Sequence, residues 1–285
     1  MFFGCHISIK NGYLGAAEEA LNIKANTFQY FTKNPRSLSI KDYDPVDTAR
    51  CKVFCEKYGM VSIAHTPYPT DLTPANEQKQ AVIYSLLNDL EIADACGSKG
   101  VVVHFGSRKG FTNPLNAYEL MIETLNNILS QWDGNSKILL ENHAGVPGTM
   151  GTTFEELVQV RNLCSYSEKI GFCLDTCHAF ASGLWSGENW EEVLLKGKRL
   201  GYFDYVKAIH LNNSKYQSGL GKDRHANIFK EGCIQKDQFN DILQTKELRQ
   251  VPFILETPTK QGVSHKEEIA ELISWWNSTS STDLP

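Results

Sequence analysis

The chain has no apolar run approaching the ~18–20 residues that a membrane-spanning helix needs, which excludes a helical membrane protein. Its start, Met1-Phe2-Phe3-Gly4-Cys5-His6, lacks the basic head and extended apolar segment of a signal peptide. No C-x-x-C pair occurs. Eight cysteines in 285 residues fall short of disulfide-scaffold density, so they are expected as reduced thiols in a cytoplasmic protein. There is no basic excess either: 28 Lys and Arg against 33 Asp and Glu leave a net charge of −5. Taken alone, that balance argues against a nucleic-acid partner, although bound cations would add positive charge that residue counting misses. No linker, low-complexity stretch or block of like charge divides the chain. Residues 1–276 are therefore expected to form one domain, with the polar segment 277–285 as a tail.

Against these absences stands a regular alternation. Short β-rich runs occur at Phe2–Ser8, Thr27–Phe31, Val61–Thr66, Gly100–Gly106, Lys137–His143, Ile170–Asp175, Val206–Asn212 and Phe253–Thr257. Several, such as Val101-Val102-Val103 and Ile138-Leu139-Leu140, are apolar throughout, as strands buried on both faces are. Helical spacing fills the gaps at Asn76–Ala95, Ala117–Trp132, Thr153–Cys164, Trp190–Leu200, Lys236–Gln244 and Lys266–Trp276, with earlier helices within Ser8–Ala25 and at Asp47–Tyr58. Eight strand–helix units predict a single-domain α/β fold, the (β/α)8 TIM barrel.

Chemistry in such a barrel gathers at the carboxyl ends of the strands. The third to eighth runs carry His65, His104, Glu141, Asp175, His210 and Glu256 there, with His178, Asp223 and His225 just beyond two of them. Each alone reads as an ordinary hydrogen-bonded or ion-paired residue. Together they are nine ionisable groups placed after apolar sequence, and burying them without compensating charge would cost several kcal/mol per ion. Cations offset that cost, and mixed carboxylate and imidazole donors suit zinc, manganese or iron. Nine donors exceed what one ion takes, so two or three ions are expected, with phosphoester hydrolysis as the chemistry that multi-metal sites serve.

The segments Asp175-Thr176-Cys177-His178-Ala179-Phe180, His210-Leu211-Asn212-Asn213-Ser214-Lys215 and Asp223-Arg224-His225 resemble the endonuclease IV family of apurinic/apyrimidinic endonucleases. Phe31-Thr32-Lys33-Asn34-Pro35-Arg36, His104-Phe105-Gly106-Ser107, Glu141-Asn142-His143-Ala144-Gly145 and Leu255-Glu256-Thr257-Pro258 support the resemblance, which covers nearly the whole chain. It implies a TIM barrel with three Zn2+ ions that hydrolyses double-stranded DNA on the 5′ side of abasic sites, leaving a 3′-hydroxyl and a 5′-deoxyribose phosphate. Carried over by position, one ion falls to His65, His104 and Glu141. Glu141 bridges to a second ion on Asp175, His210 and Glu256, and the third falls to His178, Asp223 and His225. Glu141 and Glu256 are the catalytic candidates for handling the proton of the attacking water. Arg36 and Tyr68 occupy positions that enter the DNA minor groove; on residue type alone they read as a surface Arg and a loop Tyr. Lys33, Arg108, Lys109, Lys215, Lys222 and Arg224 also follow strand ends and are expected to make the active face basic. A monomer is expected of a barrel that straddles a duplex.

The chain departs from the family pattern after His225. The segment Ala226-Asn227-Ile228-Phe229-Lys230-Glu231-Gly232-Cys233-Ile234 is one residue longer and has one glycine where the family usually has two. His143 replaces a small or polar residue and is expected to be structural or to pair with a carboxylate, a ligand role being open to it. His6 is expected at the barrel mouth or as a core histidine, and His265 at the surface. Two rivals remain. A divalent-metal sugar isomerase or epimerase on the same barrel would leave His178, Asp223 and His225 without a shared purpose. A DNA-damage binding module would bind without cutting.

Overall fold

The computed structural model describes residues 1–259 and 262–280. The barrel strands are β1 (Phe2–His6), β2 (Thr27–Phe31), β3 (Val61–His65), β4 (Gly100–His104), β5 (Lys137–Glu141), β6 (Ile170–Asp175) and β7 (Val206–His210). A two-stranded antiparallel ribbon of β8 (Asn213–Ser214) and β9 (His225–Ala226) follows, and β10 (Pro252–Leu255) closes the barrel by pairing in parallel with β1 and β7. All eight expected strands are present, and most stop one or two residues short of the apolar run that announced them. The closed parallel barrel matches the expected fold.

The helices are α1 (Gly12–Asn22), α2 (Pro45–Tyr58), α3 (Asn76–Ala95), α4 (Pro114–Leu129), α5 (Phe154–Leu163), α6 (Thr176–Ser182), α7 (Trp190–Leu200), α8 (Lys236–Leu243) and α9 (His265–Ser280). Local chemistry sets their limits. Asp44 caps α2 by accepting from Val46 N, Pro45 opens the helix, and Gly59 ends it in the left-handed region at φ 62°. Thr153 and Glu156 form a reciprocal capping box on α5. Helix α9 continues past the expected end at Trp276 to Ser280, while the rest of the expected polar tail, 281–285, lies outside the described residues. Among the described residues no helix is long and apolar enough to cross a membrane.

One layer of the core positions the site. Ile63, Val102, Leu139, Cys173 and Ala208 form a separate, fully buried plug inside the barrel. Each lies two residues before the last residue of its strand, respectively His65, His104, Glu141, Asp175 and His210. Side chains two apart on a strand face the same way, so the terminal residues also turn inward, above an apolar floor.

Candidate metal centre

The structure gathers the nine sequence-derived candidates into three linked groups of converging donor atoms: His65, His104 and Glu141; Glu141, Asp175, His210 and Glu256; and His178, Asp223 and His225. Glu141 belongs to two of them. Its Oε2 lies 3.3 Å from His104 Nε2 and 3.7 Å from His65 Nε2, while its Oε1 lies 2.9 Å from His210 Nδ1. His210 Nδ1 is also 3.3 Å from Glu256 Oε2 and 3.7 Å from Asp175 Oδ2. In the third group Asp223 reaches His178 Nε2 at 3.3 Å and His225 Nε2 at 3.4 Å. Cys177 also lies within reach of Asp175 and His225, but burial and the Asp175 charge push its thiol up to about 12, leaving a neutral, weaker donor.

Main-chain carbonyls aim three of the imidazoles. Nδ1 faces Thr66 O at 2.8 Å in His65, Asn142 O at 2.9 Å in His178 and Glu256 O at 3.3 Å in His225, so Nε2 is turned inward in each. Asp175 caps α6 with Oδ1, which accepts from His178 N, and accepts from Asn212 Nδ2 on Oδ2. The hydrogen-bonding capacity that remains points at the centre. Glu141 Oε2, His178 Nε2 and His225 Nε2 are buried atoms without a hydrogen-bond partner. Orphaned acceptors in a buried cluster of carboxylates and imidazoles fit divalent cations, whose charge the chain does not itself supply.

Charge within the cluster is strongly displaced. Burial alone would raise the Glu141 carboxyl, yet the His210 and His104 imidazoles hold it well below its ordinary range. Burial would lower His178 and His210, but Asp175 and Asp223 raise the former, and Cys173, Glu256 and Glu141 the latter, well above the histidine range. His225 rises to about 9 against its burial, through Asp223 and Asp175. Without a cation, protons play the compensating role.

A cavity of about 300 Å³ opens on the cluster, lined also by His6, Phe31, Tyr68, Thr257 and His265. Arg36 is exposed and Tyr68 is 63% exposed, and their loops are tied by Tyr68 N donating to Pro35 O at 2.9 Å. Two expectations need correction. Lys33 does not contribute to a basic face: it is buried, 2.7 Å from Asp89 Oδ1 on α3, and also donates to Ser85 O. His265 faces the cavity rather than open surface, its Nε2 2.9 Å from Thr257 O. His143 takes the structural one of its expected roles: its ring stacks on His178 with centroids 5.8 Å apart, outside the donor groups. Arg108, Lys109, Lys215, Lys222 and Arg224 are exposed. Sequence reading missed Gln29, a fully buried amide in β2 that touches both His210 and Glu256, although a lone Gln within Thr27–Phe31 was a visible signal.

Residues 17–279 match the family model described as a xylose isomerase-like TIM barrel. A curated relative from Symbiobacterium thermophilum named "Probable endonuclease 4" is 41% identical over 271 residues, 95% of this chain and 98% of that protein. "Apurinic-apyrimidinic endonuclease 1" from Plasmodium falciparum is 32% identical over 95% of this chain and 47% of its own length. The crystal structure of endonuclease IV from Thermus thermophilus superposes with a TM-score of 0.86 at 30% identity, covering 98% of this chain and all of that one. A barrel of this type carrying linked His and carboxylate clusters defines the class as a xylose isomerase-like TIM-barrel enzyme. Within it, the chain belongs to the endonuclease 4 family.

Proposed function

We propose that the protein is a DNA-repair endonuclease that hydrolyses the phosphodiester 5′ to abasic sites in duplex DNA, leaving a 3′-hydroxyl and a 5′-deoxyribose phosphate, with three Zn2+ ions. The observation that carries this reading is the convergence of His178, Asp223 and His225 into a third donor group beside the two joined through Glu141. A sugar isomerase on the same barrel would leave that third group idle. His65 and His104 would hold the first ion with Glu141, and Asp175, His210 and Glu256 the second. Bound there, the ions would lower the pKa of water and offset charge on the phosphate.

The residues divide the remaining work. Glu141 is buried, whereas Glu256 is 20% exposed at its side chain and lines the cavity. Of the two catalytic candidates, Glu256 is thus the carboxylate that meets substrate and can take a proton from the attacking water, while Glu141 fixes the spacing of the two groups it joins. Arg36 and Tyr68, on adjoining rim loops, would hold the duplex: Arg36 on phosphate, Tyr68 in the gap left by the extruded nucleotide. An abasic nucleotide lacks stacking and pairing, so its extrusion into the cavity costs less than that of an intact one. The exposed Lys215, Lys222 and Arg224 would supply phosphate contacts despite the acidic whole chain.

The test is incubation with a duplex bearing one tetrahydrofuran residue, with added Zn2+ and with chelator. A single incision 5′ to the lesion, lost with chelator, is expected. Binding without cutting in the presence of Zn2+ would replace the enzyme with a damage-binding module.

A further inference from the structure

We infer that Gln29 is a positioning residue that selects which nitrogen of His210 faces the metal centre; the inference rests on the metal-binding reading above. Gln29 is fully buried, and its amide makes three contacts. Nε2 donates to Glu256 Oε1 at 2.7 Å and lies 3.2 Å from His6 Nδ1, while Oε1 lies 2.7 Å from His210 Nε2. The carboxylate at Glu256 accepts only, so it fixes the amide orientation, with NH2 toward Glu256 and the carbonyl toward His210. A carbonyl accepts only as well, so His210 must carry a proton on Nε2. That leaves Nδ1 as the nitrogen turned to Glu141, Asp175 and Glu256.

Among the donor-group imidazoles whose second nitrogen has a partner, His210 is the exception. His65, His178 and His225 rest Nδ1 on main-chain carbonyls and offer Nε2, whereas His210 rests Nε2 on a side chain and offers Nδ1. A main-chain carbonyl cannot be substituted away; Gln29 can. The same amide also holds Glu256 Oε1, so one side chain orients two donors of a single group. Partners of this kind, when lost, commonly cost about tenfold to a hundredfold in metal affinity.

The experiment is chelator competition with Zn2+ and Co2+ on the full chain, without DNA, comparing wild type with Gln29→Met and Gln29→Asn. Met keeps the volume without the hydrogen bonds, and Asn keeps the amide without the reach. In either variant that folds, one of the bound ions is expected to weaken about tenfold to a hundredfold. The Co2+ absorption spectrum should change, and the ion on His178, Asp223 and His225 should be retained. In a His210→Ala background the Gln29 substitution should lose the part of its effect that runs through that ring and keep only the part that runs through Glu256 Oε1, whereas a merely structural role would add in full. A wild-type competition curve in a folded Gln29 variant overturns the inference. Failure of the wild-type protein itself to bind either ion would instead overturn the metal-centre reading.

Discussion

Glu141 Oε1 lies 2.9 Å from His210 Nδ1 while its Oε2 lies 3.3 Å from His104 Nε2, so one carboxylate belongs to two donor groups at once. Its removal should therefore be felt twice. Glu141→Ala is expected to lose two of three ions by elemental analysis and to cut incision at least about a hundredfold, the scale of losing one preorganised electrostatic contact. Glu256→Ala should lose one ion and a comparable amount of rate, with the barrel largely intact by circular dichroism. Near-normal turnover in either variant would contradict the assigned roles.

The displaced ionisations set a pH dependence for the metal-free protein. Glu256 is held down to about 2, burial notwithstanding, by His210 and other imidazoles, so its contribution is present above the ordinary 4.5 and lost as pH falls through about 2. His225 is raised to about 9, so its contribution is complete below the ordinary 6.5 and disappears as pH rises through about 9. Burial lowers His104 and raises Asp175, so His104 adds stability as pH rises toward 6.5, whereas Asp175 loses some as pH rises past 3.8. Chelator-treated protein should melt highest between about 4.5 and 6.5. Because an ion must displace the protons on His178, His210 and His225, apparent Zn2+ affinity should instead rise with pH. A metal-free melting temperature that climbs from neutrality toward pH ~9 would contradict this assignment.

Much of this arrangement was legible because a strand repeats every two residues. Val102 and His104, or Leu139 and Glu141, share a face by spacing alone, so a ligand ending an apolar strand announces an inward donor above a core residue. Features set by distant partners were not legible. Lys33 looked like a rim cation until Asp89, on α3, placed it in the interior. Helix α6 was absorbed into the motif that contains it, since Asp175 is both its cap and a donor. Gln29 carries no charge and no motif, and its meaning exists only beside His210 and Glu256.

Arg36 and Tyr68 sit on adjoining loops but should fail differently. With Arg36 on phosphate as proposed, Arg36→Ala should lower the slope of log affinity against log salt by about 0.9 and weaken binding on damaged and intact duplex alike. Tyr68, its ring edge-on to Phe31 at 5.2 Å, is held upright without needing charge. Tyr68→Ala should keep the salt slope and lose preference for the abasic duplex, measured by titration at several salt concentrations. Equal salt slopes for wild type and Arg36→Ala would remove Arg36 from the DNA contact.

The departure after His225 resolves into two neighbouring positions with different demands. Gly232 packs on the Asn213 side chain so closely that an added Cβ would lie 2.0 Å from Asn213 Cγ, and that Asn ties the loop down through Ile234 N and O, each at 2.9 Å. Glycine is needed there for space. The preceding Glu231, exposed, adopts φ 51° without being glycine, a conformation that costs a residue with a Cβ roughly 1 kcal/mol or more. Glu231→Gly relieves that cost and gives part of it back as unfolded-chain entropy. A net gain of about 0.5 kcal/mol is expected, a rise of roughly 1–2 °C in Tm at this size. Glu231→Ala keeps the Cβ and should gain nothing, so equal melting temperatures for the Gly and Ala variants would show that the left-handed turn carries no strain.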